Sequence, residues 1–301
     1  MPIRLFFPLK RLLVVPALFA VCIAHAQDSS LLIDNLLVDS VAKPKVTGAF
    51  KSTRVIMAHS IEMLKPHNLD VRILHRFGSM DQGIEQFFGL DQAKTRLGMD
   101  YGLLSWCAIG VGRSTYRKEV DMFAKFRLLQ QGKGKGSMPF SVLLATGMTI
   151  LTGDIDQPDF NTSKRFAYYA QLLVGRKFSE AISLQLIPTV LHRNYVFDPS
   201  EENTIAALGI GGRIKLSKRI AFTGDYHYVF GGHPPGFFDP IGFGFDIETG
   251  GHVFQLHFSN SVGMNERAYL VETTDEFFKG EIRFGFNISR MFQMGGKGKK
   301  Y

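Results

Sequence analysis

The sequence is poor in three things that usually anchor a fold: cysteine, tryptophan and long apolar runs. It has two cysteines and one tryptophan in 301 residues. Cys22 falls in an N-terminal stretch with the marks of a leader, so the mature chain keeps Cys107 alone and forms no intramolecular disulfide, although export would permit one. After residue 26 no apolar run reaches the roughly 18 residues of a spanning helix. The histidines lack zinc spacing. "GVGRS" (110–114) and "GIGGRIK" (209–215) are glycine-rich, but no helical pattern follows either one, which excludes a phosphate-cradling nucleotide loop. No cofactor is expected. "GKGKG" (132–136) and "GGKGKK" (295–300) are basic but short, and in an exported chain they suit flexible turns or anionic headgroups rather than nucleic acid.

The leader is residues 1–26. It has Arg4, Lys10 and Arg11, an apolar run from Leu12 to Ile23, and Ala24-His25-Ala26, an Ala-x-Ala cleavage site before Gln27. A lipoprotein signal using Cys22 is disfavoured, because Val21 stands where a small residue is needed. Cleavage removes three basic residues and no acid, which lowers the net charge from +8 to +5. Sec-type export is expected.

Beyond residue 66 the chain alternates apolar and polar side chains, as strands do. "GEIRFGFNISRMF" (280–292) sets Ile282, Phe284, Phe286, Ile288 and Phe292 against Arg283, Gly285, Asn287 and Ser289. Residues 180–193 set Ile182, Leu184, Leu186, Pro188 and Val190 against Ser183, Gln185, Thr189 and Arg193. Twelve such segments are predicted: 68–77, 92–101, 105–113, 117–130, 138–151, 164–177, 180–193, 202–217, 219–230, 240–249, 251–260 and 280–291. Tight turns at 178–180, 217–218 and 249–251 alternate with long connections at 78–91, 152–163, 194–201, 231–239 and 261–279.

Two architectures bury such faces. A soluble sandwich or lipocalin-like barrel uses strands of about 5–6 residues, shorter than these. A transmembrane barrel turns its apolar face to lipid, with aromatics near the strand ends and short turns alternating with long loops. The predicted fold class is therefore all-β: a closed antiparallel up-and-down transmembrane β-barrel of about 12 strands over residues 67–292. Both termini then lie in the periplasm, and 78–91, 152–163, 231–239 and 261–279 lie outside. Residues 27–66 form an N-terminal periplasmic or lumenal segment; "SSLLIDNLLVDSV" in it suits a short amphipathic helix. "TRVIMAHSIEML" (53–64) is strand-like and would break the even count, so it lies inside the lumen or periplasm or pairs with a strand around 45–52. Residues 293–301 form a basic tail.

"TGAFKSTRVIMAHSIE" (47–62), "ILHRFG" (73–78), "FFGLDQAKTRLGMDYG" (87–102), "AQLLVGRKFS" (170–179), "DIETGGHVFQLHFSNS" (246–261) and "KGEIRFGFNISRMF" (279–292) resemble an uncharacterised family of bacterial outer-membrane β-barrel proteins. It is a domain-of-unknown-function family, common among Bacteroidetes-type bacteria. The resemblance covers about residues 45–292 and implies a barrel in the bacterial outer membrane; it supplies no catalytic residues, ligand or solute. The aromatic Phe292 also resembles the terminal signal read by the barrel-assembly machinery, although "GGKGKKY" follows it.

Alternation sends a charged set to the lumen: Arg72, Arg76, Arg96, Asp100, Asp121, Arg127, Arg165, Arg213, Asp225, Asp246, Glu248, His257, Ser259 and Arg283, together with Lys94 and Lys125. These residues suit either a pore or a salt-bridge network that fills a narrow barrel. The expected function is a passive channel or surface-binding scaffold with a charged lumen. Its partners are outer-membrane lipid, the assembly machinery and an unidentified small solute. One alternative is a closed structural barrel with a protein partner. The other is an esterase: His257-x-Ser259-Asn260 resembles the motif of outer-membrane phospholipase A. Alternation turns that pair away from lipid, Ser261 stands where that family has glycine, and no third member is identified. His59, Ser60 and Glu62 form a similar loose set, better suited to anchoring the N-terminal segment. No enzyme activity is expected.

Overall fold

The computed structural model describes residues 44–157 and 160–295. The leader, the helix expected within 29–41 and the end of the basic tail lie outside these residues. The chain forms a closed barrel of twelve antiparallel strands, each paired with its sequence neighbours, and β1 pairs with β12 to complete the ring. The strands are β1 (Asn68–Ser79), β2 (Ala93–Leu104), β3 (Cys107–Ser114), β4 (Glu119–Leu129), β5 (Ser141–Leu151), β6 (Phe166–Lys177), β7 (Ile182–Arg193), β8 (Thr204–Lys215), β9 (Ile220–Val229), β10 (Ile241–Thr249), β11 (His252–Ser259) and β12 (Arg283–Gln293). Each falls on a predicted segment, with ends differing by a few residues.

β7 shows why the pattern works. Its even positions are exposed and its odd positions buried along its whole length. Leu184, Leu186 and Val190 point out, and Ser183, Gln185 and Thr189 point in. Pro188 has no N–H to give. The β6–β7 ladder accordingly skips from Gln171↔Thr189 to Val174↔Leu186, and the register is unchanged across the gap.

The outer surface carries rows of exposed Leu, Ile, Val, Met and Phe, among them Leu97, Met99, Ile210, Ile214 and Leu256. In water so continuous an apolar belt would drive association; in lipid it is the stable arrangement. At the long-loop rim Phe77, Phe284, Phe258 and Phe243 form a chain of ring contacts with centroids 5.6–6.2 Å apart, as an interfacial girdle does.

One expectation about a connection needs correction. Residues 260–273 do not lie outside. They fold back into the barrel, almost fully buried, and carry the short helix α1 (Glu266–Val271). Asn265 caps α1 by accepting from the Ala268 amide, and Tyr269, Leu270 and Val271 give the segment an apolar face that water would penalise. Residues 53–60, expected in the lumen or periplasm or paired with a strand around 45–52, take the lumenal place. They form a hairpin within the barrel, closed by Val55 N→Ala58 O at 2.9 Å and Ser60 N→Thr53 O at 2.9 Å.

Candidate functional site: the filled barrel interior

Residues 45–66 enter from the short-turn end. Lys45 bridges Gly132, the Val46 amide donates to Gln131 O (2.8 Å), and Lys177 Nζ donates to Thr47 O (3.2 Å). The chain then climbs into the barrel and turns at Val55–Ala58. A hairpin inside a barrel has no neighbouring strands, so its amides and carbonyls need wall side chains. Asp225 Oδ2 accepts from the amides of Met57 (3.0 Å) and Ala58 (2.9 Å). Gln185 accepts from the Ile61 amide (2.9 Å) and donates to His59 O (2.8 Å). Gln255 donates to Val55 O, Lys125 to Glu62 O (2.7 Å) and Arg213 to the carbonyls of Gly48 (2.9 Å) and Ala49 (2.8 Å).

From the other end, α1 meets the hairpin. Arg54 Nη1 and Glu266 Oε1 pair at 2.9 Å, both buried. Burial opposes the Arg54 charge most strongly, but Glu266 together with Tyr169, Asp100 and Asp121 outweighs it and holds the guanidinium above its ordinary pKa. His59 lies beside them, with Nε2 3.3 Å from Tyr169 Oη. Burial, reinforced by Arg54, pushes His59 well below its ordinary value, so the ring is neutral at pH 7. Arg267 pairs with Glu119 at the top of β4 and with Glu272 (2.9 Å), which fixes α1 to the wall.

The interior has two unlike halves. Against β5–β9 the hairpin packs on Leu143, Ala145, Tyr169, Leu173, Ile187 and Leu191, an apolar core inside the barrel. Against β1–β4 and β10–β12 it meets charge. Arg72 contacts Asp70 (2.8 Å), Asp100 (3.2 Å), Ser52 (3.0 Å) and Thr53 (2.6 Å). Arg96 grips Asp121 with two bonds, one of them 2.8 Å. Asp246 accepts from Gln255 at 2.6 Å. Arg76 donates to His75 O (3.1 Å) and Asn287 Oδ1 (2.9 Å).

Glycines make room for these groups. A Cβ at Gly112 would sit 2.2 Å from Arg96 Nη2, and one at Gly110 would sit 2.2 Å from the Phe123 ring.

Four of the sequence-predicted residues lie at the rims, where the strands end. Arg127 caps Ser105 O (3.2 Å), and Arg165, in the turn before β6, caps the carbonyls of Leu151 (2.8 Å) and Gly153 (2.9 Å). Glu248 pairs with Lys51, and Arg283 with Asp275 at 2.6 Å. His257 and Ser259 are fully buried, but His257 has no side-chain hydrogen-bond partner among the described residues. The Ser259 hydroxyl lies 3.8 Å from Met57 Sδ and accepts from the Ser261 amide (3.0 Å). Ser60 bonds Ser52 O rather than His59. Neither set is wired as a nucleophile and base. Among the described residues no cluster of His, Cys, Asp and Glu could hold a metal.

Sequence reasoning missed the contributions of Arg54, Glu266, Gln185 and Gln255. Asn265 followed by Glu-Arg-Ala was a legible helix start. Leu173, Ile187 and Leu191, apolar residues on an otherwise polar parity, were the signal for an apolar interior half.

No curated protein matches the chain significantly. Several solved structures are similar in fold. The NanC porin is 11% identical with a TM-score of 0.48, over 75% of this chain and all of that one. The Pseudomonas putida toluene transporter TodX is 12% identical with a TM-score of 0.27, and the chain spans about half its length, 47%. A bacterial polysaccharide outer membrane secretin is 11% identical with a TM-score of 0.36, over 78% of this chain. Likeness at this level carries no inference about activity. A family model does match, over residues 50–292, from the hairpin to the last strand. The chain thus belongs to the family described as membrane-bound beta barrel domain, DUF5777.

Proposed function

We propose that the protein is a channel-like barrel of the bacterial outer membrane, held shut by the hairpin at 53–60, and that this hairpin is its gate. The leader motif, the lipid-facing belt and the terminal aromatic Phe292 support export and insertion by the assembly machinery. The observation that carries the gating reading is the charged half of the interior. A plug needed only for stability is best made apolar, because burying ions costs several kcal/mol each unless they are well paired. Ionisable groups kept at membrane depth mark a pathway by default. Here Arg72, Asp100, Arg96, Asp121 and Lys125 line one wall, while the hairpin is held by hydrogen bonds that can be exchanged for water. The reading is non-enzymatic.

Planar-bilayer recording of the refolded full chain tests it. Wild-type protein should stay closed with brief openings, and Asp225→Ala should raise the open fraction. Silence from both proteins, correctly inserted, would favour a sealed structural barrel.

A further inference from the structure

The hairpin does not fill the charged half evenly. A cleft of about 220 Å³ opens at the short-turn end between the hairpin and the wall of β11, β12 and β1. Ser52, Arg72, Val253 and Ser289 line it and also line the narrower space of about 10 Å³ above it, which ends at Gln255, Asn287 and Leu74. The cleft therefore runs up the seam where the barrel closes, through the register pairs Arg72↔Ser289 and Leu74↔Asn287. The next inward pair is Arg76↔Gly285. Arg76 reaches down to the blind end of the cleft through its 2.9 Å bond to Asn287.

The charges along this route are unequal in availability. Each acid is already engaged: Asp70 by Arg72 and Ser289, Asp100 by Arg72, Asp121 by Arg96, and Glu62 by the amides of Ala49 and Phe50. Arg76 is fully buried, and its Nε and Nη2 have no hydrogen-bond partner among the described residues. Its two bonds go to a carbonyl and an amide oxygen, neither of which carries charge. Both ring nitrogens of buried His257, packed against Gly285 beside the Arg76 side chain, also have no side-chain partner there. A cation with no ion pair, which Asp225 acts on only from beyond ion-pair distance, at the blind end of a polar cleft with low-dielectric walls, makes the local potential positive and favours anions there.

We infer that the conduit follows the β11–β12–β1 seam and passes small anions in preference to cations, with Arg76 setting that preference. This rests on the gated-channel reading. A chloride-sized ion entering past Arg72 would exchange hydration for the free guanidinium donors of Arg76, and its exit lies upward past Gly285 towards Arg283 at the long-loop rim.

The test is the reversal potential of the wild-type openings in a KCl gradient, repeated with gluconate replacing chloride, so that Asp225, the acid acting on Arg76, stays in place. The expected result lies on the chloride side and weakens with gluconate. Arg76→Gln should move it to zero or to the potassium side, and Arg76→Lys should restore it. Reversal on the potassium side with Arg76 intact would overturn the inference and leave the channel standing, as would an unchanged value in Arg76→Gln. If Arg76→Gln does not insert, the sign of the reversal potential with Arg76 intact and the Arg76→Lys value still decide. Absence of any conductance would remove the channel reading itself.

Discussion

Asp225→Ala is the sharpest perturbation of the interior. Its Oδ2 holds two consecutive amides at the hairpin tip, Met57 at 3.0 Å and Ala58 at 2.9 Å, all three groups buried. Hydrogen bonds to a charged acceptor contribute about 1.5–3 kcal/mol each. Losing both leaves two buried donors unsatisfied. Water entering the space returns part of that loss, so the tip should loosen by about 3 kcal/mol, on the order of 100-fold in its local opening equilibrium. Global stability should change less, because removing a buried carboxylate also removes its desolvation cost. The right assay is therefore local. Hydrogen exchange read by mass spectrometry on peptides covering 50–62 should speed up at Met57 and Ala58 by about two orders of magnitude, while the β7 amides hold. Asp225→Asn, which keeps one acceptor oxygen, should fall between. If Met57 and Ala58 exchange at the wild-type rate in Asp225→Ala, the carboxylate does not anchor the hairpin and the gate assignment fails.

Other predictions address the wall, the packing and pH. Leu186→Arg, at the middle of the lipid face of β7, should cost about 2–4 kcal/mol of insertion stability in a folding titration into vesicles, whereas Ser183→Ala on the inner face should be mild. Gly244→Ala places a Cβ 2.0 Å from Leu256 O and 2.6 Å from His257 Cα, backbone atoms that yield poorly; about 1–3 kcal/mol of destabilisation should appear in urea unfolding followed at Trp106. His59 is held neutral below its unfolded pKa of about 6.5, so the folded state binds fewer protons than the unfolded state once the pH falls through that value. Stability should drop as pH falls below about 6.5, and the drop should be smaller in His59→Gln; an identical pH profile in the two proteins would contradict it.

What the sequence determined by itself is the wall. Period-two alternation over twelve segments, with apolar residues on one parity and charge or glycine on the other, leaves only one face able to meet lipid. A one-residue slip would reverse every side chain. That is why Leu184, Leu186, Asp225 and His257 could be assigned to faces without coordinates. The contents of the barrel were decided only by tertiary structure. A charged or small inward residue suits water, a counter-ion or a packed plug equally well, and alternation does not distinguish them. Asp225 was legible as inward, but its partners, the amides of Met57 and Ala58, lie 168 and 167 residues away. Arg54 lies in the segment before β1 and Glu266 in the connection between β11 and β12, and they pair because both fold inward. The hairpin at 53–60 looked like a strand because its side chains alternate, yet its backbone bonds are satisfied by Gln185, Gln255 and Asp225 rather than by a neighbouring strand. Local pattern records which face of a residue avoids water; which distant group meets the other face is set only when the ring closes.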